Sequence, residues 1–302
     1  MYHVQKAADI ELAGPAPAIA DHVQGLRRAT LVGRDTGSVH TGFALVGLEP
    51  GGWVGTHLHS TEQSFYILRG RPELTLDGRT YRLAPDECGL IPLGMPHAWR
   101  AAEDDEPLWL EMNAPAPRLP GAKQPDTFWT GEPLPDGPAE EPDIRDPRSR
   151  QFFRLSEGQM NVDNLKLGMQ KNATTVSASM ATALLAYSGI AVKMLVDSRL
   201  GAVLHTMFMV EYQPGGVIHP HDHPLEEAYY ILEGEVEAMA NNEEPFVLQP
   251  GDVFWTGVGC THAFWNKSDT TVRWLETQSP QPPANYSYRH DRDWDYLAEK
   301  LD

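Results

Sequence analysis

Residues Gly215 to Gly234 read GGVIHPHDHPLEEAYYILEG, and the rest of the chain is interpreted from this stretch. His221 and His223 are two residues apart, so on a strand both imidazoles leave the same face. Pro224 has no N–H to give to a ladder and stops it. Glu227 opens the next run, and a turn between the runs folds its carboxylate back beside the histidines. His262, in PGDVFWTGVGCTHAFWN (Pro250 to Asn266), adds a third imidazole from a distant strand. Three neutral imidazoles and one carboxylate leave one or two positions open on a five- or six-coordinate metal. Tyr229, Phe264 and Trp265 flank the set and would keep it dry, which strengthens a metal's polarisation of whatever it binds.

The same pattern occurs earlier in the chain. TLVGRDTGSVHTGFALVGLEPGGW (Thr30 to Trp53) aligns with MLVDSRLGAVLHTMFMVEYQPGGV (Met194 to Val217) at an offset of 164 residues. That offset carries His57 onto His221, His59 onto His223 and Gly70 onto Gly234; after a one-residue insertion His97 meets His262 and Trp109-Leu110-Glu111 meets Trp274-Leu275-Glu276. The chain is a duplication. Its expected organisation is an N-terminal arm over 1–28, a first barrel over 29–116, a linker over 117–192, a second barrel over 193–281 and a tail over 282–302.

Each unit is patterned as short strands. Glu73 to Leu83 alternates around Asp77-Gly78, a strong hairpin signal, and Glu235 to Leu248 repeats it more loosely around Asn241-Asn242. Strands at such close spacing with Gly and Pro between them predict a sandwich or barrel, and the fold class is all-β. The proline-rich stretch from Asn113 to Pro147 cannot form a helix or an interior strand. It reads as an extended arm crossing the first barrel, with a lid over the pocket as the alternative. Trp294, Leu297 and Leu301 follow Asp293 at helical intervals and predict a short docking helix.

Composition narrows the function classes. Lys+Arg 24 against Asp+Glu 42 leaves a net charge of −18, which repels phosphate backbones and anionic membrane surfaces, so neither nucleic acid nor membrane is an expected partner. Two cysteines, Cys88 and Cys260, cannot make a disulfide framework, and a reducing cytoplasm is the expected setting. The first residues lack the pattern of a secretory signal, and the apolar stretch Met180 to Val196 is too interrupted to span a bilayer.

The two constellations resemble the cupin superfamily, with its motifs G-x5-H-x-H-x3,4-E-x6-G and G-x5-P-x-G-x2-H-x3-N. Gly215, His221, His223, Glu227 and Gly234 fill the first motif; Gly251, Gly259, His262 and Asn266 fill the second, with Gly257 at the usual proline. The first unit matches at Gly51, His57, His59, Gly70, Pro92, Gly94 and His97, but Gln63 stands at the carboxylate position. A Gln carbonyl can ligate without bringing charge, so that site holds either a weaker metal or none. Glu62 is one residue away and turns to the opposite face.

The resemblance implies two tandem jelly-roll barrels, each a double-stranded β-helix. It also implies a divalent transition metal (Fe, Mn, Ni or Cu, with Zn as a further option) held by His221, His223, Glu227 and His262. One metal per chain is expected, or two if His57, His59, Gln63 and His97 also load. Oxalate decarboxylases carry an Arg just before the first metal histidine, where this chain has Thr56 and Pro220. The ureidoglycine-type aminohydrolases order their ligands differently. The remaining likeness is to quercetinase-like dioxygenases acting on a small enolic, phenolic or organic-acid substrate, with Glu227 as the base and Tyr229 and Phe264 lining the pocket. A metal-dependent isomerase or hydrolase on the same ligands, or a non-catalytic binding barrel, are the alternatives. A homodimer or higher oligomer is expected. His219 reads as a rim residue, Cys260 as a buried thiol, and Met207 and Met209 as core.

Overall fold

The computed structural model describes residues 1–118 and 187–281 without a break, shorter pieces between 125 and 161, residue 185, and the backbone of 289–290. The helix expected over Asp293 to Leu301 lies outside the described residues. The expected all-β fold is present: two curled barrels, one per repeat, packed against each other.

In the first barrel the strand Gly42–His59 is long enough to run through both halves of the barrel, passing Gly51, whose φ of +68° suits glycine. In the second barrel its counterpart is split into Thr206–Tyr212 and Val217–Asp222 around Gly215, with a φ of +77°. One barrel is therefore a single continuous sheet and the other two sheets. Both predicted hairpins form. Asp77 and Gly78 join Glu73–Leu76 to Arg79–Arg82 with φ of 51° and 74°, and Asn241 and Asn242 turn with φ of 52° and 58°. The strands Val23–Val32 and Ile190–Val196 begin before the expected barrel boundaries at 29 and 193.

Strand alternation sorts side chains into two kinds of core. On Thr206–Tyr212, Phe208 and Val210 fill the lumen of the second barrel. Met207 and Met209 face the other way, into a shared cluster with Leu31, Phe43, Leu45 and Leu110 of the first barrel. With both faces of the strand buried, the sequence is apolar throughout instead of alternating, and the two methionines are inter-barrel core.

Two reciprocal exchanges fasten the barrels. Tyr2–Gln5, which precedes the first barrel, pairs with Val253–Thr256 of the second. Its end is anchored where Lys6 Nζ and the Ala7 N–H donate to Asp252 at 2.7 and 2.8 Å. Phe152–Arg154, which precedes the second barrel, pairs with Glu87–Ile91 of the first. The N-terminal segment, available in principle for exchange with another copy, is thus paired within the chain.

The second exchange uses repeat-equivalent glutamates. Glu226 of the second barrel accepts from Ser38 Oγ (2.5 Å) and the N–H groups of Val39, His40 and Thr41 (2.9, 3.1 and 3.0 Å). Glu62 of the first accepts from the N–H groups of Val203 and Leu204 (2.8 and 3.0 Å) and lies 2.8 Å from His205 Nδ1. Both carboxylates are buried. The Thr41 N–H also donates to Ser38 Oγ at 3.0 Å, so removing Glu226 as alanine leaves the part-buried N–H groups of Val39 and His40 without their acceptor, and an unmet buried donor costs about 1–3 kcal/mol. Glu226→Ala is expected to lower the unfolding free energy by about 2 kcal/mol, read by urea denaturation; a change below about 0.5 kcal/mol would show that the clasp contributes nothing.

Burial alone would raise the Glu62 carboxyl, but the hydrogen bond and charge of His205 and the two backbone N–H groups outweigh it and hold it below the usual glutamate range. A carboxyl depressed in the folded state contributes stability that is complete above its unfolded pKa and is lost as pH falls through its folded value. Glu62→Gln is therefore expected to flatten the acid limb of stability below about pH 4, in thermal melts at stepped pH, while wild type steepens there.

Candidate metal centres

His221 is the last residue but one of its strand, His262 begins the strand directly opposite it, His223 lies just past the first, and Glu227 sits on the next. The three ring nitrogens facing inward lie within 4.8 Å of one another, and all four side chains are buried. Their Nδ1 atoms contact backbone carbonyls: His221 with His219 O at 2.9 Å, His223 with Leu225 O at 3.0 Å, and His262 with Cys260 O at 2.9 Å. A carbonyl only accepts, so each Nδ1 carries a proton and each Nε2 is the nitrogen left to face the centre.

Glu227 Oε2 meets that centre, 2.7 Å from His223 Nε2 and 3.2 Å from His262 Nε2. Its other oxygen accepts from Gln278 Nε2 at 2.5 Å, and Tyr229 Oη contacts Oε2 and lies 3.1 Å from His262 Nε2. Burial would raise the Glu227 carboxyl, but the charge and hydrogen bond of His223, then those of His262, hold it well below the usual carboxylate range. Burial also opposes charge on His223, yet Glu227 raises it; His221 is pushed well down by burial and by His262. A proton on His223 thus does here what a cation bound among the four groups would do, and the donor set fits a divalent metal.

The first barrel repeats the geometry without the charge. His57, His59 and His97 converge within the same 4.8 Å limit, with Nδ1 contacts to Gly55 O (2.8 Å), Thr127 Oγ1 (3.0 Å) and Met95 O (2.9 Å). His97 Nε2 and Gln63 Oε1 are buried acceptors with no hydrogen-bond partner among the described residues. Burial lowers all three histidines, aided by their neighbours' charge at His59, which falls to about 3, and at His97. They stay neutral, in the form that ligates, and this set also fits a cation.

Sequence reasoning missed what the linker does here. Thr127–Trp129 pairs with the strand carrying His57 and His59, orients His59 through Thr127, and stacks Trp129 on His22 at 4.5 Å and against His57 at 5.0 Å. The arm crosses the first barrel at its histidines. In the second barrel the backbone of Arg289–His290 pairs at the corresponding place, His290 opposite His221.

Cross-strand register gives the lumen two rings. In the second barrel one ring runs Thr206, Gln278, Glu227, Thr256, and the ring beneath it Phe208, Glu276, Tyr229, Phe254. The corresponding rings of the first barrel are Gly42, Asn113, Gln63, Ile91 and Ala44, Glu111, Phe65, Gly89. Glu227 is replaced by Gln63 and the Tyr229 hydroxyl is absent from Phe65. Gly89 is required there, since a Cβ would lie 2.7 Å from the Phe65 ring. Glu276 accepts from Trp274 Nε1 at 2.9 Å, and burial followed by the Glu227 charge raises it well above the usual range. Its counterpart Glu111 likewise accepts from Trp109 Nε1, at 3.1 Å, and is also paired with Arg28.

The remaining residues fall into place around this site. Phe264 packs behind the site, 5.1 Å from the Tyr229 ring and 6.0 Å from His262. His219 contributes its carbonyl to His221, and Cys260 is a buried thiol raised by burial. No helix among the described residues is long and apolar enough to cross a membrane.

The Cupin domain family matches residues 44–112 and 208–277, one span in each repeat. Among curated proteins, Polyketide synthase CurC of Streptomyces cyaneus is 35% identical over 95 residues, 30% of this chain and 62% of that one. Dimethylsulfoniopropionate lyase DddQ of Ruegeria pomeroyi is 44% identical over 55 residues, 18% of this chain and 27% of that one. The chain thus matches less than two thirds of the length of either relative. Among solved structures, a mutant of Bacillus subtilis Oxalate Decarboxylase OxdC has a TM-score of 0.60 at 17% identity, covering 96% of this chain and 80% of that one. The Lactobacillus farciminis Oxalate Decarboxylase formate complex has 0.59 at 18%, covering 96% and 89%. At such identity the likeness shows the fold.

Proposed function

The chain belongs to the cupin superfamily as a bicupin, and from that premise we propose that it is a metal-dependent enzyme whose chemistry takes place in the second barrel, on a small oxygenated substrate. The observation that carries this is the difference between the barrels: Glu227 and Tyr229 meet at His262 in one, and Gln63 and Phe65 occupy their positions in the other. A divalent metal bound by His221, His223, Glu227 and His262 would polarise a coordinated substrate oxygen and lower the pKa of its neighbouring protons. Mn is one candidate, since the Bacillus subtilis oxalate decarboxylase that shares the fold has Mn(II) centres. Fe, Ni, Cu and Zn are the others.

The protein's own groups handle the proton. When it is not ligating the metal, Glu227 Oε2 would take the substrate proton; Tyr229 Oη, hydrogen-bonded to that oxygen, would accept this proton while giving its own to the product, and Gln278 holds Oε1 so that Oε2 keeps its place. Phe254, Phe264 and Trp274 keep bulk water from the relay. Dioxygenation of an enolic, phenolic or organic-acid substrate uses this deprotonation to present an electron-rich carbon to O2. A lyase or isomerase acting without O2 is the second reading. It is favoured by the Tyr229 hydroxyl, which supplies a proton acceptor and donor beside the metal position; the relative DddQ is named a lyase.

Elemental analysis of protein purified without chelators tests the metal. About one equivalent per chain supports a single reactive centre, about two puts both barrels in play, and less than a tenth after incubation with each metal overturns the reading. An oxygen electrode then separates the reaction classes: substrate-dependent O2 uptake supports the dioxygenase, and turnover under argon supports the second reading. A homodimer or higher oligomer in the cytoplasm completes the proposal, with light scattering as the check on assembly.

A further inference from the structure

The ring that contains Glu227 holds two groups that the chemistry above does not use. Thr256, one strand to one side, is fully buried, and Thr206, two strands to the other, is 4% exposed. Both point into the lumen, because Phe254 and Phe208, two residues before and after them on the same strands, belong to the core of the second barrel. Neither Thr256 Oγ1 nor Thr206 Oγ1 has a hydrogen-bond partner among the described residues. Buried hydroxyls are ordinarily paired, and two orphans in one ring of a candidate site call for a partner.

The first barrel supplies the contrast. Its equivalent ring has Ile91 for Thr256 and Gly42 for Thr206, so neither hydroxyl is a requirement of the fold. The barrel that keeps Glu227 and Tyr229 is the one that keeps the hydroxyls.

We propose that Thr206 and Thr256 are specificity-determining residues of the second barrel, donating hydrogen bonds to acceptor oxygens of a small carboxylate-bearing substrate. The class follows from what the ring lacks. Each hydroxyl offers one O–H donor and two acceptor lone pairs; Glu227 already receives donors from Gln278 and Tyr229, and beside a bound divalent cation the group that takes up the free O–H donors is an anionic substrate oxygen. The hydroxyls are three strand spacings apart, about 14 Å round the curled sheet and less across the lumen, so a substrate that reaches both carries oxygens at separate ends. The inference rests on the metal-dependent reading of this site and adds its substrate class.

The test uses the full chain loaded with Co(II), malonate as the probe, and the visible absorption of the cobalt as the readout. Wild type is expected to bind malonate saturably. Thr206→Val and Thr256→Val, each keeping the side-chain shape, are expected to weaken it about tenfold apiece with cobalt equivalents unchanged. In ligand-free protein both variants are expected to melt no lower than wild type, and up to about 2 °C higher, because each removes an unpaired buried hydroxyl. Equal malonate affinity in wild type and both variants overturns the assignment, as does a melting point several degrees lower, which would reveal a structural partner. Cobalt uptake with no malonate response in wild type overturns the carboxylate class and leaves the metal reading standing. No cobalt uptake overturns the metal reading itself.

Discussion

Glu227→Gln is expected to convert the second centre into a copy of the first and to abolish its function while the barrel stays folded. The substitution preserves shape and the hydrogen bond to Gln278, and it removes the one negative charge among three imidazoles. Without that charge a bound cation loses its counter-ion in a fully buried setting, and affinity for a divalent metal is expected to fall about a hundredfold or more. Turnover should fall by a similar or larger factor, because the same oxygen is the proposed proton acceptor; loss of a general base costs about 10²–10⁴-fold. Metal titration in competition with a chelator reads the first effect and the kcat of the reconstituted enzyme reads the second. Unchanged turnover at full metal loading would remove Glu227 from the chemistry. The reverse substitution, Gln63→Glu, is expected to tighten metal binding in the first barrel, measured in the same titration.

Tyr229→Phe separates proton relay from metal holding. Phe65 shows that the fold accepts phenylalanine at this position, and the hydroxyl is the only atom removed. Metal equivalents are expected to match wild type while kcat falls about a hundredfold or more and KM changes little, the signature of a group that acts in the transition state. The measurement is made with a substrate turned over by wild type in the oxygen electrode or under argon. A variant that keeps its kcat would leave Tyr229 as packing for Phe254 and Phe264 and would take the support from the oxygen-independent reading.

The duplicated barrel was legible because its signals are local. The positive-φ turns at Asp77-Gly78 and Asn241-Asn242, the alternation of each strand, and the two-residue spacing of His221 and His223 each depend on a few neighbouring residues. The convergence of distant His262 with that pair was legible because the repeat shows it twice. Resemblance to a known family supplied the ligand order and the expectation of metal chemistry, which spacing alone does not specify.

Other features were hidden because they join residues far apart in the chain. Glu62 and Glu226 are repeat-equivalent acids, and equivalence was the only signal available; nothing local says that each reaches across to amides of the other barrel. Thr127 and Trp129 lie in a stretch that reads as an extended arm across the first barrel, and nothing local says that three residues of it add an edge strand beside His57 and His59. Met207 and Met209 could have faced either the lumen or the neighbouring barrel, since a strand buried on both sides loses the alternation that would distinguish them.

By itself, then, the sequence determined that this chain has two barrels with a histidine set in each, and that only the second set includes a carboxylate. Those properties are written in residue type and short spacing. Tyr229 was expected at the pocket, but its contact with Glu227, the hold of Gln278 on the same carboxylate, and the two threonine hydroxyls beside it, which have no partner among the described residues, were decided by tertiary structure. Cross-strand register places residues of the separate strands Thr206–Tyr212, Glu226–Glu233, Val253–Thr256 and Val272–Ser279 in one ring, and register depends on how whole strands pack, which no local stretch of sequence encodes.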